Sequence, residues 1–159
     1  MRKSSDPVAQ LMQEHNEALV QLKILNKASQ TFSQNGFSKK TYRQIISALK
    51  FIEKEVTEHN RKEEQALFPV LERYVDGPTR IMRNDHKKLR KGFVQLRQRV
   101  REVRKRKDSF SAIKQMSTVA KSVVHLFVNH IHKENYILFP LVQQFLNKDE
   151  LREVAKKML

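Results

Sequence analysis

The chain carries part of its own sequence twice, displaced by 71 positions. His59-Asn-Arg-Lys-Glu63 followed by Leu67-Phe68-Pro69 returns as His130-Ile-His-Lys-Glu134 followed by Leu138-Phe139-Pro140. The same displacement carries His15 onto His86 and the acid before it, Glu14, onto Asp85. A repeat of this kind requires the two halves to adopt the same supersecondary unit. Two copies of one helical hairpin, related by a pseudo-twofold axis, satisfy it.

The punctuation agrees with that reading. Asp6-Pro7 reads as an N-cap followed by proline at the first helical position, and Asn35-Gly36 as a helix stop. Asp76-Gly77-Pro78 reads as a stop and restart, and Lys107-Asp108-Ser109 separates a basic run from a new apolar pattern. Asn147 to Glu150 reads as a capping box for a short last helix. Four long segments remain, near 7–34, 38–74, 78–107 and 109–146, plus a tail helix. Each long segment has a helical stripe: Val8, Leu11, Met12, Leu19 and Leu22; Ile45, Leu49, Ile52, Val56 and Leu67; Met82, Leu89, Phe93, Leu96, Val100 and Val103; Met116, Val123, Phe127, Ile137 and Val142. The pattern predicts an all-α fold, an antiparallel up-down-up-down four-helix bundle with a short C-terminal helix. It predicts one domain over residues 1–159, with a bundle core at about 6–146 and a tail helix at 147–159. The alternative is a helical hairpin that dimerises.

Composition narrows the chemistry. Three Gly and four Pro in 159 residues exclude collagen and folds that need many tight turns. The absence of Cys excludes disulfide scaffolds, thiolate metal sites and cysteine catalysis. No run approaches the length of a transmembrane segment, and the first residues show no apolar leader, so a cytoplasmic protein is expected.

The stripes contain polar residues. His15 and His86 fall within the apolar stripes of the first and third segments. His59 continues Ile45 and Ile52, and His130 follows Val123 by a heptad. Glu63 and Glu134 lie four residues beyond His59 and His130, so each pair shares a helix face. All six therefore point inward. A buried carboxylate is costly unless paired or bound to metal, and two close together repel. No Lys or Arg occupies the inward positions. A pair of metal ions held by four imidazoles and two bridging carboxylates solves the problem. Pro69 and Pro140 recur at one distance from the two glutamates and are expected to shape the bundle end, since proline inside a helix costs about 3 kcal/mol.

This pattern of His, His-x-x-x-Glu, His, His-x-x-x-Glu over about residues 6–146 resembles the hemerythrin-like, histidine–histidine–glutamate cation-binding family. The resemblance implies a non-heme di-iron centre bridged by an oxo or hydroxo group and the two carboxylates. By position, His15, His59, His86 and His130 are its terminal ligands, and Glu63 and Glu134 its bridges. The oxygen carriers of that family use a fifth histidine four residues from the third-helix one; here Met82 and Arg90 stand at those positions. They also use an aspartate five residues after the fourth-helix histidine, where this chain has Asn135, the acid being Glu134. The chain thus sits nearer the sensing, nitric-oxide-handling and repair branches. Eight protein bonds and two from the bridging oxygen leave each octahedral iron one open position, which favours reaction with O2, NO or peroxide over storage. Zinc or manganese would suit the same donors. A ferritin-like site needs Glu-x-x-His, and none of the six histidines has Glu three residues before it. Repair relatives carry an added cysteine-bearing N-terminal module, for which this chain has neither length nor cysteine.

Other residues receive plainer readings. His125 and His132 are placed at the bundle edge or surface, and Tyr42, Tyr74 and Tyr136 are read as packing residues. Glu58 and Glu64 are expected to point outward, helping at most by a hydrogen bond to a ligand. Thirty-two Lys and Arg against 17 Asp and Glu give a net charge of +15. The run Arg97 to Lys107 concentrates it, an attraction for nucleic acid or an acidic protein, or simply a solvated face. It has no interleaved aromatics and matches no base-reading motif. A basic interaction module with a structural metal, and an iron donor for repair of iron centres, are therefore the alternatives to a gas- or redox-reactive di-iron protein.

Overall fold

The structure, a computed structural model, describes residues 6–159; the reading of the first five as lacking an apolar leader lies outside the described residues. Helix α1 (Pro7–Asn35) opens with the Asp6 side chain accepting from the Val8 N–H at 3.0 Å and with Pro7 where a missing N–H costs nothing. It stops at Gly36, whose φ of 80° disfavours residues with a Cβ. The side chains of Ser38 and Ser109 cap α2 (Lys39–Lys62) and α5 (Phe110–Lys133). α4 (Gly77–Lys105) follows Asp76, and α7 (Lys148–Lys157) starts from the Asn147–Glu150 capping box. α2 continues without a break through a π-helical turn, Glu63–Leu67, into α3 (Phe68–Leu71); α5 continues likewise through Glu134–Leu138 into α6 (Phe139–Phe145).

The described residues form an all-helical bundle in which α1 packs on α2 and α5, and α4 on α5. α4 and α5 approach closely at Gly92, where a Cβ would stand 2.9 Å from Val123 Cγ2. The apolar interior has two parts. The larger runs from Ala18 to Phe32 on α1 and includes Ile45 to Val56, Leu89 to Val103 and Ala112 to Ile131. The smaller joins Val8, Leu11, Leu67, Phe68, Met82, Leu138 and Phe139 to Val154 and Met158 of the tail helix. His15, His59, His86 and His130 each fall in sequence between residues of the two parts, so the polar site forms a layer between two apolar plugs. Among the described residues, no helix is long and apolar enough to cross a membrane.

The two π-turns sit where the repeat places its prolines. Pro69 and Pro140 have no N–H to donate, and a proline ring conflicts with the carbonyl four residues back. In both turns the preceding Phe N–H reaches five residues back instead, Phe68 to the Glu63 carbonyl and Phe139 to the Glu134 carbonyl. The wider turn inserts a residue and shifts the helical phase by about 100°. Two members of the predicted stripes fall elsewhere, one of them because of this shift. Ile137, expected inward seven residues after His130, is 53% exposed, and Leu138 is fully buried in its place. Met12 is 40% exposed for a simpler reason: the inward line of α1 is Leu11, His15, Ala18, Leu22 and Leu25, and Met12 is one residue off it.

Leu138→Ala should lower stability by about 2–5 kcal/mol, whereas Ile137→Ala should change it by less than about 0.5 kcal/mol. Urea unfolding midpoints of the two variants check this; an uninterrupted α-helix would give the reverse order.

Candidate metal centre

All six residues singled out in the stripes converge on one point. His15, His59, Glu63 and Glu134 form one group, and Glu63, His86, His130 and Glu134 a second; within each, one donor atom per residue lies within 4.8 Å of the others. All six are buried, Glu63, His86 and Glu134 with no exposure. The two groups share both carboxylates and differ only in their histidines.

The histidines turn Nε2 inward. His15 Nε2 lies 2.8 Å from Glu134 Oε1 and 3.1 Å from His59 Nε2. His59 and His86 Nε2 lie 3.3 and 3.2 Å from Glu63 Oε1, and His130 Nε2 lies 3.3 Å from Glu134 Oε2. Donors about 2.0–2.1 Å from one ion and at right angles to each other stand about 3 Å apart, which these separations approach. Both Glu63 oxygens, Glu134 Oε2 and the Nε2 atoms of His86 and His130 are buried without a hydrogen-bond partner. Buried polar atoms are ordinarily paired. Lone pairs converging without donors are what a cation would satisfy, so the residues present fit a metal.

Each imidazole is held from behind through Nδ1. His59 meets Glu14 at 2.9 Å, and Lys62 meets the other oxygen of Glu14 at 2.7 Å. The second half uses the same residue types, with His130 and Lys133 both meeting Asp85 Oδ2, at 3.0 and 2.7 Å. His15 meets Asn135 Oδ1 at 2.7 Å, and His86 meets Glu64 Oε1 at 2.8 Å. Ring stacking crosses the halves as well, His15 on Phe139 and His86 on Phe68. The Phe of each Leu-Phe-Pro repeat thus braces the other half's histidine, while the π-turn beside it begins at the glutamate.

Electrostatics follow from this enclosure. Burial alone would push the His86 imidazole down, but the Glu134 and Glu63 carboxylates outweigh it and lift it to about 10. His59 and His130 are raised by the same contest between burial and the carboxylates. Burial would raise Glu134, yet His130, His15 and His59 hold it well below the usual range. Glu14 sits at about 2 because His59 and Lys62 overcome its burial.

Several other residues differ from the sequence reading. Glu64 does not simply point outward; it is the partner of His86, while Glu58 is an exposed partner of Arg61. Asn135 holds His15, a role unassigned from sequence, although the displacement by 71 pairs positions 64 and 135. His125 and His132 are exposed, as expected. Of the tyrosines, Tyr42 packs on the core, but Tyr74 is 48% exposed and bonds Glu150, and Tyr136 is 74% exposed and stacks on His132. Tyr136 lies two residues after the inward-facing Glu134, on the opposite side of the helix.

An all-helical bundle with a buried layer of histidines and carboxylates defines a class, the helical metal-binding proteins. Within it, the chain belongs to the hemerythrin HHE cation-binding domain family, whose pattern matches residues 6–142. It is 27% identical over 130 residues to the iron-sulfur cluster repair protein YtfE of Yersinia pseudotuberculosis serotype IB (strain PB1/+), and equally to YtfE of Yersinia pestis (strain Pestoides F). Each match covers 79% of this chain and 58% of the relative, so the chain spans little more than half the length of those proteins.

Binding of a divalent cation at pH 7 should release protons, because ligation needs neutral imidazoles and His86 holds its proton to about 10 in the metal-free protein. Apparent affinity should fall as pH falls. Calorimetric titrations in buffers of different ionisation enthalpy measure the release.

Proposed function

We propose that this chain is a non-heme di-iron protein. On this reading it is one domain, an antiparallel up-down-up-down four-helix bundle with a C-terminal tail helix. His15, His59, His86 and His130 are terminal ligands, and Glu63 and Glu134 bridge the two ions. The observation that carries the reading is the sharing of both buried carboxylates by two separate histidine pairs. Two irons held there would supply one-electron redox steps and open positions for O2, NO or peroxide. The chain's own residues fix the geometry. Glu14, Asp85, Asn135 and Glu64 orient the four rings, and the apolar plugs on either side keep water out. Family membership supports iron over zinc or manganese, which suit the same donors.

The name of the relatives favours a second use of the same centre, iron donation in iron-sulfur cluster repair. Iron transfer from the loaded chain to a cluster-depleted acceptor protein would support it, and retention of iron would count against it.

Protein from iron-supplemented cells should hold about two irons per chain and show ferric charge-transfer bands that bleach with dithionite. Glu63→Ala and Glu134→Ala should each reduce the iron to one per chain or fewer. One zinc, or no metal and no bands, would overturn the di-iron reading. Reoxidation with O2, NO or peroxide then separates the chemistries.

The outer face of α4 supports an additional binding role. Lys87, Lys88, Arg90, Lys91, Arg101, Arg104 and Lys105 make no ion pair among the described residues, whereas acids pair with Arg73, Arg152 and Lys157 elsewhere. Like charges at i and i+4, as at Lys87 and Lys91, weaken a helix, so an unneutralised face suits a polyanion. We read it as a phosphate-backbone contact. A labelled DNA duplex should bind at low salt and dissociate steeply as salt rises, and Arg101→Glu with Arg104→Glu should weaken binding. No binding at low salt would remove this role.

A further inference from the structure

The two histidine pairs are related by the repeat, and so are most of the groups behind them. Glu14 behind His59 corresponds to Asp85 behind His130, each carrying a lysine. The chemistry of the correspondence breaks at one place. His15 meets a neutral amide, Asn135, at 2.7 Å, and His86 meets a carboxylate, Glu64, at 2.8 Å. The geometry is matched and the charge is not. An imidazole whose Nδ1–H is held by an anion is the stronger donor through Nε2, because the anion offsets the positive charge that ligation develops on the ring. Two carboxylates therefore back the His86–His130 pair. One carboxylate and one amide back the His15–His59 pair.

We propose that Glu64 and Asn135 make the two metal positions unequal, so that the His86–His130 position fills first. Glu64 is a positioning residue that acts through His86, and Asn135 is its weaker counterpart behind His15. This rests on the two-ion reading above and adds to it an order of filling and the residues that set it. The bundle offers two related but distinguishable seats, although the six ligating side chains themselves are matched between the halves.

Zinc tests the order, since it is diamagnetic and takes the same nitrogen and carboxylate donors. The full chain, stripped of metal, is titrated with Zn2+ while the imidazole 15N resonances are followed. At one equivalent the His86 and His130 resonances should move, with His15 and His59 following at two. Glu64→Gln keeps the size and an acceptor oxygen; it should cut the affinity of the first step by roughly 10–100-fold. Asn135→Asp should erase the order by making the two seats alike. Circular dichroism establishes that both variants fold. The proposal is overturned if His15 and His59 move first, if all four move together in the unsubstituted chain, or if both folded variants keep its order and affinity. Uptake of one zinc at most, however much is added, would instead refute the two-ion reading and the order with it.

Discussion

Two glutamates with no contact with water set the terms for this protein. Burying a carboxylate costs several kcal/mol even after the surroundings relax, and Glu63 and Glu134 are buried side by side. The four imidazoles around them answer that cost with inward-facing nitrogens, and His130, His15 and His59 hold Glu134 well below the usual carboxylate range. The imidazoles need their own restraint, and Glu14, Asp85, Asn135 and Glu64 supply it. The lysines at 62 and 133 then offset two of those acids. The polar layer is thus built outward in shells, each there because the one inside it carries an unmet charge or lone pair.

The apolar residues are arranged around that layer. The larger plug and the smaller one cover its two sides, and the tail helix contributes Val154 and Met158 to the smaller. A bundle could close over a continuous apolar core at lower electrostatic cost. Holding a polar layer at mid-height instead favours one registry of the helices, because only one brings the six side chains to a common point. The π-turns belong to the same design. They keep Pro69 and Pro140 within helical runs, begin at the two buried glutamates, and set Phe68 and Phe139 against the opposite half's histidines.

The sequence repeat organises the centre without making its two halves identical. The six converging side chains, the stacking rings and two of the four restraining contacts are matched between halves; the remaining two differ by the exchange of a carboxylate for an amide. Arg83 adds a further difference, placed over the Phe68 ring at 5.2 Å, where its counterpart in the repeat is the exposed Met12. The duplicated sequence gives two groups with the same donor types, and a single difference behind the histidines sets the two groups apart.

What the sequence alone determined is the repeat, the helix ends and the six inward polar residues. Caps such as Asp6-Pro7 and Asn147–Glu150 act within a few residues, and an i, i+4 histidine–glutamate pair has one possible face, so local rules suffice. The tertiary structure decided the remainder. The exchange of Ile137 for Leu138 depends on a π-turn, which helical periodicity at 3.6 residues per turn cannot register. Glu64 behind His86 and Asn135 behind His15 reach across the two halves of the chain, so their partners are not written near them. The convergence of two histidine pairs on the same two carboxylates is likewise a property of packed helices, since no segment contains more than one pair's share of it.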